Sequence, residues 1–109
     1  MIHLVVRRIR PDHRERVSSW LGEVDGPRRA EALASLDAEG IDHETAMLVD
    51  TTDGPILVYA MQTDDLSRAR AVADGSLRPI DAEHRAVMRA ADGGPVEAVT
   101  VLDLRAGER

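Results

Sequence analysis

The sequence predicts an α+β domain in which four antiparallel strands carry helices on one face. Three observations lead there. Val- and Ile-rich runs of strand length are separated by segments whose apolar residues recur at helical spacing. The two middle runs follow each other directly across an Asp-Gly turn, so they form a hairpin. The chain has 109 residues, 43% of them hydrophobic, enough for one core. A single domain over residues 1–105 is expected, with 106–109 as a flexible tail.

The elements follow in order. Ile2 to Ile9 reads as the first strand, and Pro11 ends it. Asp12 with Glu15 three residues on predicts a capping-box start for a helix. Val17, Trp20, Leu21 and Val24 then fall at i, i+3, i+4 and i+7. Asp25-Gly26-Pro27 breaks this helix, and a second segment is expected to turn Ala30, Leu33 and Leu36 inward until Gly40 caps it. Ile41 to Thr51 is the second strand, Thr52-Asp53-Gly54 the turn, and Pro55 to Gln62 the third strand. Asp64 or Asp65 caps a short helix that Gly75 ends. Pro79 and Asp81 open the last helix, with Val87, Met88 and Ala91 on one face and Gly93-Gly94-Pro95 as its stop. Val96 to Leu104 is expected as the fourth strand. The order is the ferredoxin-like βαββαβ pattern, with broken helices on one face of an antiparallel sheet. The fourth run is apolar on both faces, which calls for cover on both, so a homodimer packed sheet to sheet is expected.

Composition narrows the chemistry. There is no cysteine, so disulfides and thiolate chemistry are out. There is no lysine, so a Schiff base is out. Net charge is −6 and the aromatics are Trp20 and Tyr59 alone, a poor basis for nucleic-acid binding. No apolar run nears the ~20 residues of a membrane span. The N-terminal charges follow the apolar stretch, the reverse of a secretory signal, so a cytoplasmic location is expected. No tight metal-ligand spacing or phosphate loop occurs, and neither a cofactor nor a metal is expected.

Arg78-Pro79-Ile80-Asp81-Ala82-Glu83-His84 is the most informative stretch. It puts His84 in the first turn of a helix, where free N–H groups disfavour imidazolium and favour a neutral ring fit for acid–base work. Glu44 shares a strand face with Ala46 and Leu48, and it could meet His84 if that face turns towards the helices. The plainer alternatives are an exposed glutamate or a structural Glu–His bond. Asp81 fits a helix cap. Tyr59 fits core packing or a substrate hydrogen bond, and Trp20 and Met61 fit core packing or pocket walls.

Arg10-Pro11, Gly40 to Ala46, Leu57-Val58-Tyr59-Ala60-Met61 and Pro79 to Arg85 together resemble a family of small bacterial proteins of unknown function. That family is similar to the dimeric α/β-barrel group, whose relatives include cofactor-independent monooxygenases, polyketide cyclases, muconolactone-type isomerases and haem proteins. The resemblance implies the barrel fold and the dimer, and its matching positions are Glu44, Tyr59, Asp81 and His84. Ala60 departs from it by replacing an expected aromatic. The resulting expectation is a small cofactor-independent enzyme, an isomerase, cyclase or monooxygenase-like protein acting on an apolar or polyketide-like small molecule. Glu44 and His84 would be catalytic, with Tyr59, Trp20, Met61 and Asp81 binding substrate. The alternative is a non-catalytic dimeric small-molecule-binding or accessory protein.

Overall fold

The structure, a computed structural model, describes residues 1–108. Strand β1 (Ile2–Ile9) leads through a single 3-10 turn at Pro11–His13 into α1 (Arg14–Asp25) and α2 (Arg29–Glu39). Strands β2 (His43–Thr51) and β3 (Gly54–Gln62) follow, then α3 (Leu66–Gly75), α4 (Pro79–Ala91) and a short β4 (Asp92–Pro95). The sheet is antiparallel with order β2-β3-β1-β4. The architecture is therefore α+β, with a four-stranded antiparallel sheet and four helices.

Pairing fixes which side chains share a face. Glu44 lies opposite Met61, and Met61 opposite His3. Ala46, Tyr59 and Val5 form the next row, and Leu48, Leu57 and Arg7 the one after. Because side chains alternate along a strand, these rows lie on one face. That is the helix face, since Leu57 joins Ile9, Val17, Trp20, Ile80, Val87 and Ala91 in the buried core. Helix α1 supplies Val17 and Trp20 from its apolar stripe, with Leu21 and Val24 packed beside them. Helix α4 supplies Ile80, Val87 and Ala91, with Met88 alongside.

Several local signals act as the sequence suggests. Gly40 takes a left-handed φ of 73° and closes α2, with its N–H and that of Ile41 donating to Asp37 and Leu36. Asp65 caps α3 by accepting from the Arg68 N–H at 3.0 Å. Thr51 pairs with Gly54 across a two-residue turn, and Gly54 takes φ 109°.

Other expectations are corrected. Asp12 caps nothing: Pro11 favours a 3-10 turn, and α1 starts at Arg14 without a side-chain cap. Helix α2 turns Ala32, Ser35 and Leu36 inward and leaves Ala30 and Leu33 exposed. A hydrogen bond from buried Ser35 to α4 accompanies that rotation. The fourth strand is not Val96 to Leu104. The ladder uses Asp92–Pro95, the stretch expected to be a stop, and residues 96–105 run on without regular structure. Glycine eases this: a Cβ on Gly93 would lie 3.3 Å from both Cβ and O of Arg8, so any side chain there would push β4 or Arg8 aside by a few tenths of an ångström.

Candidate functional site

A cleft of about 930 Å³ opens between the helix face of the sheet and the four helices, with Arg70 and Ala73 of α3 also at its wall. Val5, Glu44, Ala46, Tyr59 and Met61 line it from the sheet. Leu21 and Val24 of α1, Ser35, Leu36 and Glu39 of α2, and Ile80, Asp81 and His84 of α4 line it from the helices. Its size suits a small organic molecule, and its surface mixes apolar walls with polar and charged groups, Arg29 and Arg70 among them. Trp20 stands behind His84 in the core, 2% exposed.

His84 is held at both ring nitrogens. The Trp20 indole N–H donates to His84 Nδ1 at 2.9 Å. Indole can only donate, so Nδ1 must present its lone pair. The neutral ring then carries its proton on Nε2, which faces the Tyr59 hydroxyl at 3.2 Å. So His84 donates to Tyr59, and the phenol keeps its own proton for another acceptor. Met88 Sδ, 3.9 Å away, is a weak one. Protonating His84 would set an N–H against the indole N–H. Burial already pushes the imidazole below its usual range, with the Asp81 charge acting the other way.

This corrects the helix-terminus argument. His84 is the sixth residue of α4, beyond the first turn. Its neutral form comes from burial and an indole donor, not from free N–H groups at the helix start. Asp81 is not the cap either, because Arg78 holds that position. Asp81 instead accepts from Ser35 Oγ at 2.5 Å and from Ser76 Oγ at 2.5 Å, which ties α2 and the α3–α4 connection to α4.

Ser35 carries a second contact that sets a proton count. Its Oγ lies 3.2 Å from Glu39 Oε1 as well as 2.5 Å from Asp81 Oδ1. One hydroxyl has one proton, and the short bond takes it. The Glu39 contact is then a hydrogen bond only when Glu39 is protonated and donates to Ser35. Burial pushes the Glu39 carboxyl up to about 7; the Ser35 contact opposes this, and the charges of Asp81 and Glu44 add to it. Burial raises Glu44 as well. Tyr59 is raised by burial and then by the Glu44 charge, so it stays a neutral phenol.

The structure thus brings Glu44, Tyr59, Met61, Asp81 and His84 to one cleft. His84 bonds to Trp20 and Tyr59, while Glu44 shares the cleft with them. Sequence reasoning missed Ser35, Glu39 and Ser76. Serine and glutamate four apart on one helix face were the available signal in α2. Arg28 closes the back of the site: its guanidinium lies 5.5 Å over the Trp20 ring and pairs with Glu31 and Glu83. Among the described residues no group of three or more His, Asp or Glu is placed to hold a metal ion, and no helix is long and apolar enough to cross a membrane.

No curated protein and no solved structure matches the chain. A family profile does match, over residues 1–105, and it covers every strand and helix described above together with the whole cleft. The chain belongs to that family, a family of unknown function (DUF6176).

Proposed function

We propose that the cleft binds a small apolar molecule bearing a carbonyl group, and that the chain is a cofactor-independent enzyme of the isomerase or cyclase kind. One observation carries this reading. Tyr59, aligned by a histidine whose tautomer an indole fixes, lines the same cleft as a carboxyl that burial makes more basic. In this scheme the Tyr59 hydroxyl donates to the substrate oxygen. Glu44 takes a proton from the carbon beside that carbonyl, and electron density moves onto the oxygen held by Tyr59. Return of the proton to another carbon completes an isomerisation, with no net change in protons or electrons. His84 positions Tyr59 and Met61 lines the cleft, while Trp20 holds the histidine.

A second reading is a non-catalytic small-molecule-binding or accessory protein. Both ring nitrogens of His84 are engaged inside the protein, which favours it. Both readings predict binding, and only the first predicts turnover.

We also infer that the sheet follows the ferredoxin-like plan and that the protein works as a homodimer of the α/β-barrel kind. Support comes from the face opposite the helices, where Ile2, Leu4 and Met47 are exposed and Val6, Val49, Ile56 and Val58 are only half-buried.

Trp20 is the only tryptophan and touches the histidine at the cleft, so its emission reports binding. A panel of cyclic ketones and β-diketones titrated into the protein should shift that emission. Tyr59→Phe should weaken the best ligand by roughly tenfold, the value of one lost hydrogen bond of about 1.4 kcal/mol. Glu44→Gln should abolish proton exchange at the ligand's α-carbon, followed by NMR in deuterated water, while binding persists. Failure of every compound to bind, or binding indifferent to Tyr59→Phe, overturns the proposal.

A further inference from the structure

Resting on the isomerase reading above, we propose that Glu39 is the group that returns the proton, and that the substrate is a β,γ-unsaturated ketone whose double bond moves into conjugation.

Three carboxyls that line the cleft stand in different hydrogen-bonding states. Asp81 accepts Ser35 Oγ at one oxygen and Ser76 Oγ at the other, each at 2.5 Å. Ser76 Oγ itself accepts from the Arg78 N–H at 3.2 Å, which leaves its own proton for Asp81. With both oxygens accepting, Asp81 is a carboxylate with no proton to give. The Glu44 carboxyl makes no hydrogen bond or ion pair among the described residues, so its oxygens are free to take a proton. Glu39 meets Ser35 on the lone-pair side, because the serine proton is spent on Asp81. The 3.2 Å contact is then made by a proton that Glu39 carries. Burial favours this protonated form, the Ser35 contact opposes it, and the charges of Asp81 and Glu44 add to burial. Two arginines also line the cleft without changing this. Arg29 is bound to Asp25 at 2.7 Å, and Arg70 pairs with neither glutamate.

The two glutamates come from different walls. Glu44 is the second residue of β2, on the sheet, and Glu39 is the last residue of α2, on the helix side. Two carboxyls held in opposite protonation states divide into an acid and a base. A proton taken by Glu44 therefore need not return from Glu44.

That division selects a substrate. The enolate of a saturated ketone has one carbon to protonate, so a second acid adds nothing to an isomerisation. The dienolate of a β,γ-unsaturated ketone has two, the α and γ carbons. Glu44 takes the proton from the α carbon, and the freed electron pair moves towards the oxygen held by Tyr59. The pair returns to form the α,β double bond, while the β,γ pair takes the Glu39 proton at the γ carbon. One C–H bond breaks and one forms, and the product is the conjugated isomer. Solvent then removes the proton from Glu44 and restores that of Glu39.

The probe is the β,γ-unsaturated isomer of cyclohexenone, followed by NMR with the full chain in excess in deuterated water. The wild type should give the conjugated ketone with one solvent deuterium at the γ carbon in the first turnover. Glu39→Gln keeps the shape and the Ser35 contact but has no acidic proton. It should isomerise the probe roughly a hundredfold more slowly, while Glu44 and Tyr59 still exchange the α hydrogens and circular dichroism shows a native fold. Protium carried from the α to the γ carbon, or a loss under about tenfold in the variant, overturns the donor assignment. Loss of α exchange in a folded Glu39→Gln overturns it too. Wild-type exchange without isomerisation overturns the donor and the substrate class but leaves the reading above standing. Neither exchange nor isomerisation overturns both.

Discussion

Glu39→Gln tests the proton count at Ser35. Glutamine has the same shape, and its amide N–H can donate to Ser35 Oγ at any pH. The wild-type carboxyl can do so only while protonated. Its pKa rises from 4.5 to about 7 on folding. The folded state therefore holds a proton that the unfolded chain releases above pH 4.5. Glu39 adds stability that is full below about pH 4.5 and is lost as the pH rises through 7. A displacement of that size corresponds to about 3 kcal/mol in full. Glu39 is half-exposed, and solvent screening reduces this to roughly 1–2 kcal/mol. Glu39→Gln should match the wild type near pH 4.5 and exceed it by that amount at pH 8. The melting temperature at pH 8 should rise by roughly 5–10 °C. Thermal melts followed by circular dichroism across pH 4–8 provide the assay. Glu44 and His84 titrate in both proteins, so the difference between the two curves isolates Glu39. A difference that is flat with pH, or a variant less stable at pH 8, refutes the reasoning.

Two further outcomes follow from the same geometry. His84→Ala leaves the buried Trp20 N–H without an acceptor and opens a cavity beside Tyr59. It should lose about 2–4 kcal/mol in urea denaturation and lower the melting temperature by roughly 10 °C; a variant as stable as the wild type would show that the Trp20–His84 bond is not made. Gly93→Ala forces a Cβ to within 3.3 Å of Arg8 and should cost about 1 kcal/mol, seen as a lower urea midpoint at unchanged slope. A higher midpoint would mean that β4 does not pack against β1 this closely.

Local chemistry carried much of the fold into the sequence. Ile2–Ile9, the Thr51–Gly54 turn, the Gly40 cap and the stripes of α1 and α4 depend on neighbours within a few residues, and periodicity exposes them. The motif from Pro79 to His84 opens α4, and its Ile80, Asp81 and His84 line the cleft. The partners of those residues were not legible. Trp20 lies 64 residues from His84, Tyr59 lies 25, and Ser35 lies 46 from Asp81. Which face of β2 turns inward, and so whether Glu44 enters the cleft, is decided by its register with β3. The fourth strand failed for a related reason. Val96 to Leu104 has the composition of a strand, but the ladder with β1 is made by Asp92–Pro95, where the Gly93 backbone packs against Arg8. Strand and helix propensities act over a few residues, and the chain itself determines them. Hydrogen-bond partners, tautomers and the protonation of Glu39 depend on groups brought together from distant positions, and only the packed tertiary structure decides those.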